Sequence, residues 1–222
     1  MREASRQKIR DLIERYPALS VCQEEIERAA AALCQTFGAG KKLLVCGNGG
    51  SAADAAHIVG ELMKGFLKPR RLSAAQRERW RTVFPDTADY LHEHLQGALP
   101  AISLVDAAAL NTAFANDQAP DLAMAQQVLG LGKAGDALLA ISTSGNSANV
   151  CYAAQVARLE GLTTIALTGE GGGKLKDLAD ITVRVPARET FKIQEYHLPV
   201  YHALCIAAEE EFFGDEAASL HP

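Results

Sequence analysis

The chain has 222 residues, 48% of them apolar and 22% charged, with a net charge of −5. That length suits one domain able to bury a real core. The acidic balance disfavours a nucleic-acid-coating surface, and Pro100 and Asp106 break the longest apolar run, around 98–115, well short of a membrane span.

Five cysteines, at 22, 34, 46, 151 and 205, are odd in number and lack C-x-x-C spacing. They read as reduced thiols rather than a disulfide framework. The start, Met1-Arg2-Glu3-Ala4-Ser5-Arg6-Gln7-Lys8, is charged rather than signal-like, so a cytoplasmic location is expected.

Residues 3–16 carry Ile9, Leu12, Ile13 and Tyr16 at helical spacing, and Pro17 stops the run. A second amphipathic helix is predicted over 20–37, with Val21, Ile26, Ala29, Ala30, Leu33 and Phe37 facing inward, closed by Gly38-Ala39-Gly40. Two helices ahead of the first strand either cap a sheet or pair with another subunit.

Residues 43–66 then open on Leu-Leu-Val-Cys, the pattern of a strand buried on both faces. Gly47, Asn48, Gly49 and Gly50 break the chain with residues suited to tight turns and close approach. Ser51 reads as the N-cap of a helix over 52–66 whose apolar side is Ile58, Val59, Leu62, Met63 and Phe66. Strand, glycine turn and helix N-terminus together make an anion site. His57 and Glu61, one turn apart, share a face and offer an acid/base or metal pair. The turn lacks both the G-x-G-x-x-G and the P-loop patterns, so a plain structural turn with an exposed His–Glu pair stays open beside the functional reading.

Residues 68–97 read as a helical insertion. Lys68, Arg70, Arg71, Arg77, Arg79 and Arg81 make its first half basic, and Trp80, Phe84 and Tyr90 are interleaved. Ser73 is placed to cap a short helix ending before Pro85. A solvated helical excursion or a subunit contact near the site mouth is expected of it.

Residues 100–105 form a second short strand, and Ala137–Ser142 a third apolar one. The third runs into Ser142-Thr143-Ser144-Gly145-Asn146-Ser147 and a helix from Ala148, repeating the strand–loop–helix unit. Hydroxyls and a glycine at a helix start suit phosphate oxygens. Strands are predicted at 163–167 and 181–185, and a last helix from Thr190 to Phe213 carries Gln194, His197 and His202, with Pro199 in its interior. The fold class is α/β: a doubly wound, five-stranded parallel sheet of flavodoxin-like order 2-1-3-4-5. In that order strands 1 and 3, which end in the glycine and serine loops, flank the topological switch point where ligands bind.

Gly47-Asn48-Gly49-Gly50-Ser51, His57 with Glu61, Ile141–Ser147, Leu167-Thr168-Gly169, and Gln194 with His202 resemble the sugar isomerase (SIS) family. The resemblance spans the chain from the N-terminal helices to about Phe213. It implies one SIS domain over 1–222, with a helical region at 1–40 and the insertion at 68–97. It also implies an aldose–ketose isomerase of phosphorylated sugars, with sedoheptulose 7-phosphate the substrate in the branch these residues match. By the same resemblance, Asn48, Gly49, Gly50, Ser51, Ser142, Thr143, Ser144, Ser147 and Gln194 bind the sugar phosphate. Glu61 and His202 are then the acid/base pair, and His57, Glu61, Gln194 and His202 hold a zinc ion. The implied assembly is a homotetramer with sites shared between subunits, and neither nucleic acid nor membrane is an expected partner. The chain departs from the family pattern in the long insertion, in Gly65 where an arginine is usual, in the displaced Asp106, and in Phe191 at an often acidic position. Two other readings therefore stand beside this one: an isomerase of another phosphosugar, and a non-catalytic SIS module that binds phosphosugars or a replication-initiator partner.

Overall fold

A computed structural model describes residues 1–214, so the implied domain limit at 222 extends past the described residues. Helix α1 (Glu3–Arg15) leads through a 3₁₀ turn at Pro17–Cys22 into α2 (Gln23–Gly38). Then follow β1 (Leu43–Cys46), α3 (Gly50–Met63), α4 (Ala74–Val83), α5 (Ala88–His94) and β2 (Ala101–Ser103). Helices α6 (Ala108–Asp117) and α7 (Ala123–Leu131) precede β3 (Ala137–Ile141) and α8 (Ala148–Leu159). The chain continues through β4 (Thr163–Thr168), α9 (Leu175–Leu178), β5 (Ile181–Arg184) and α10 (Thr190–Phe213).

The five strands form one sheet in the order β2-β1-β3-β4-β5, every pair parallel. Because strand side chains alternate, each strand feeds two cores. Leu43, Val45, Leu139 and Ile141 face Ile26 and Leu33 of α2, Ile58 and Leu62 of α3, and Val200 and Leu204 of α10. Leu44, Cys46, Leu138 and Ala140 face Met124 and Val128 of α7 and Val150 and Ala154 of α8. Burial on both faces is why β1 and β3 read as unbroken apolar runs.

Three local expectations are corrected. Val21 is 72% exposed, because Pro17 starts a 3₁₀ turn that rotates it out before α2 begins. Met63, in the last turn of α3, is exposed where an inward position was expected. Ser51 is not the N-cap: Gly49, at φ 56°, makes the turn, and Ser51 is buried in the first turn of α3 without a capping hydrogen bond.

The insertion is helical, and Ser73 caps α4 in a reciprocal capping box with Gln76. Its two helices are tied to each other by Asp89, which accepts from Arg77 (2.9 Å) and Arg81 (2.8 Å). Between Arg71 and Gly97 only Ala88 is buried apart from the domain, and Val83, Phe84 and Tyr90 are exposed.

Candidate active site

The sheet order puts the loops after β1 and β3 side by side at the carboxyl edge, the switch point of the fold. The first loop passes so close to α3 that a Cβ on Gly47 would meet the Ser51 backbone at 2.6 Å. Asn48 and Asn149 exchange two side-chain hydrogen bonds, both 2.9 Å, and lock the two loops together.

In the second loop Ser142 and Ser147 share a hydroxyl–hydroxyl hydrogen bond of 3.1 Å, and Ser144 Oγ accepts from the Asn146 amide. Ser147 is the N-cap residue of α8 yet makes no capping bond, so its hydroxyl does not occupy the first-turn amides. Thr143 is half-buried and Ser144 exposed. The run Glu170–Gly173 supports this loop. Gly145, at φ 67°, packs so tightly on it that a Cβ would overlap the Gly172 carbonyl. The Gly169 amide donates to Thr143, and Leu175 donates to Gly145, both at 3.0 Å.

A second cluster lies where α3 crosses α10. His57 Nε2 is 3.4 Å from Glu61 Oε1, and Lys64 Nζ sits 2.9 Å from Glu61 Oε2. The His202 ring stands edge-on to His57, Tyr201 and Phe66, with centroids 5.1, 5.0 and 5.3 Å apart. Burial, followed by the neighbouring His57, holds the His202 imidazole below its ordinary pKa, favouring the neutral ring. His202 also lines a cavity of about 250 Å³, with Lys8 and Arg15 of α1 opposite.

Three of the four residues assigned to a metal, His57, Glu61 and His202, thus come together. Gln194 does not join them. Its amide lies against Gly50, where a Cβ would be 2.3 Å from Nε2, at the phosphate end of α3. Eight residues of α10 separate it from His202, a rise of about 12 Å. Among the described residues no three His, Cys, Asp or Glu side chains are arranged to hold an ion as they stand. The donor chemistry nevertheless fits: His202 Nε2 is a buried nitrogen without a partner, beside a second imidazole and a carboxylate. Thiols take no part, since all five cysteines are buried, and burial pushes Cys46 and Cys205 up to about 12.

Several residues around the cluster went unread in the sequence. Tyr201 and Asp54 form a hydrogen-bonded chain behind His57. Arg70, 1% exposed, donates to the Glu61 and Leu62 carbonyls at 2.9 and 2.5 Å and to Glu209 at 2.9 Å. It therefore satisfies the carbonyl end of α3 next to Glu61. Glu209 also accepts from the amides of Phe66, Leu67 and Lys68. Only the odd basic run at 68–71 hinted at such an anchor.

The SIS domain model matches residues 6–76 and 88–169. The chain belongs to the SIS-domain family. Its match breaks at 77–87, inside the insertion. The SIS chain is 35% identical over 214 residues to a phosphoheptose isomerase of Akkermansia muciniphila, covering 96% of this chain and 100% of that one. Among solved structures it resembles a phosphoheptose isomerase from Francisella tularensis (TM-score 0.73, 32% identity, 88% of this chain and 91% of that one). A phosphoheptose isomerase from Neisseria gonorrhoeae is similar too (TM-score 0.69, 33% identity, 89% and 93% coverage).

Proposed function

We infer that this SIS protein is a phosphoheptose isomerase, interconverting sedoheptulose 7-phosphate and an aldose heptose 7-phosphate through an enediol(ate). The observation that carries this reading is the grouping of Glu61 with two imidazoles, His57 and His202, in a chain similar to phosphoheptose isomerases along nearly its whole length.

The chemistry divides between the two clusters. Ser142, Thr143, Ser144 and Ser147, with Asn48, Gly49, Gly50 and Ser51 at the start of α3, hold the phosphate at two helix N-termini. Glu61 takes a proton from C1 of the ketose and returns it to C2, while neutral His202 moves the proton between the two oxygens. A zinc ion held by His57, Glu61, His202 and Gln194 would supply carbonyl polarisation.

This reading includes a site shared between subunits. From Gly50 to Glu61 the α3 axis rises about 16 Å, which sets the phosphate loops and the acid/base cluster apart along the helix. In this reading the Glu61 cluster of one subunit serves the phosphate loops of a neighbour, whose Gln194 completes the ligand set. The proposed assembly is a homotetramer in the cytoplasm, with the exposed Val83, Phe84 and Tyr90 of the insertion facing a second copy. No helix among the described residues is long and apolar enough to cross a membrane.

The test is a panel of ketose phosphates assayed for isomerisation with and without added zinc. Turnover of sedoheptulose 7-phosphate above all others is expected. Preference for another sugar phosphate would favour the reading suggested by Gly65 and Phe191, and binding without turnover would favour a non-catalytic module.

A further inference from the structure

Every residue of the two loops assigned to the phosphate, 48–51 and 142–147, is neutral. A phosphate monoester brings a charge of about −1.5 to −2, and two helix N-termini offset about +0.5 each. About half to one unit of negative charge is therefore left without a fixed counter-charge.

A cation stands across from the serine loop. A cavity of about 350 Å³ has Thr143 and Ser144 on one wall and Glu170, Ala187 and Arg188 on another, and Arg188 is the only cation in its lining. The backbone beneath it is fixed. The Gly169 amide donates to the Thr143 carbonyl and the Glu170 amide to the Ala187 carbonyl, both at 3.0 Å. These bonds tie the segment before α10 to the hydroxyl loop through the turn after β4. The side chain, by contrast, is 82% exposed. Its hydrogen bonds go to Glu170, from Nε to Oε2 at 2.8 Å and from Nη2 to Oε1 at 3.2 Å.

We propose that Arg188 is a specificity-determining residue that binds the substrate phosphate, and that Glu170 competes with the phosphate for its guanidinium. An ion pair this exposed is weak, because water screens it and both side chains gain freedom when it opens. A phosphate offers the same planar fork more charge and three acceptor oxygens, so the exchange favours the substrate. Glu170 is itself more than half exposed, and water receives its carboxylate when the arginine leaves. The serine loop supplies neutral donors, and Arg188 adds the charge that separates a phosphorylated sugar from a free one.

The inference deepens the isomerase reading and rests on its placement of the phosphate, but its main test needs no turnover. Inorganic phosphate is titrated calorimetrically into full-length protein at low salt. Arg188→Ala is expected to weaken binding roughly 10-fold, the loss of one charge-assisted contact, and Arg188→Lys to recover part of it. Glu170→Gln keeps the shape but releases the guanidinium, and is expected to tighten binding about 2- to 5-fold. A pair that merely fastened two loops would weaken phosphate binding in both variants, so opposite signs identify competition. In steady-state assays the loss in Arg188→Ala should fall on KM for the sugar phosphate rather than on kcat. Unchanged phosphate affinity in Arg188→Ala, no tightening in Glu170→Gln, or a parent that binds no phosphate would overturn the proposal. Opposite shifts in a protein that isomerises no sugar phosphate would leave Arg188 as the phosphate ligand and sink the isomerase reading instead.

Discussion

The crossing of α3 and α10 and the insertion beyond Arg71 use similar material, charged side chains with interleaved aromatics, to opposite ends. At the crossing, Arg70 and Glu209 are each 1% exposed and satisfy one another together with backbone groups of α3 and of the following loop. In the insertion, Arg77, Arg81 and Asp89 pair in open solvent and hold two short helices to each other. The first arrangement fixes where Glu61 stands. The second leaves α4 and α5 free of the core, and the family match skips part of them. An ion pair therefore specifies structure here only where burial leaves the charges no alternative partner.

The largest effect is expected at the crossing itself. His202→Ala removes a neutral imidazole from the site and should lower kcat by about 10²–10⁴ while substrate still binds, as read in steady-state assays. Parent-like kcat would remove His202 from the chemistry. Arg70→Ala leaves the Glu209 carboxylate buried and unpaired, and should cost about 3–5 kcal/mol of stability in denaturant unfolding. An unchanged midpoint would mean that water replaces the guanidinium and that the crossing resembles the insertion after all.

A smaller effect comes from His197, buried on α10 with both ring nitrogens unpartnered. Burial pushes its pKa down from 6.5 to about 4. The unfolded chain thus binds a proton that the folded chain refuses, so stability falls as pH drops through that window. The slope from this one group is at most about 1.4 kcal/mol per pH unit. Urea midpoints measured across the window should show it, and His197→Phe should flatten it. In the insertion, Asp89→Asn should leave the global unfolding midpoint where it was, although Arg81 and Arg77 hold the Asp89 carboxyl well below its usual range. A lowered midpoint would mean the two regions are energetically coupled.

The same division explains what the sequence disclosed. Strands buried on both faces appear as apolar runs, so β1 and β3 and the loops that follow them were legible from composition alone. The limits of α10 and the cap at Ser73 were legible because local signals decide them. The pair of Arg70 and Glu209 was not, since its partners lie 139 residues apart and neither stands in a local pattern. Tyr201 stands in no local motif, and its hydroxyl meets Asp54 and His57 only where α10 lies across α3. Gln194 and His202 share a helix, yet their separation along it divides them between the two ends of the site.

Glu61 as the base is the centre of the account, and hydrogen exchange at carbon tests it most directly. Parent protein incubated with sedoheptulose 7-phosphate in deuterium oxide should incorporate deuterium at the carbon that loses and regains its proton. Glu61→Gln keeps the side-chain shape, and should slow that exchange by about 10²–10⁴ with substrate still bound. Exchange in Glu61→Gln at the parent rate would contradict the account.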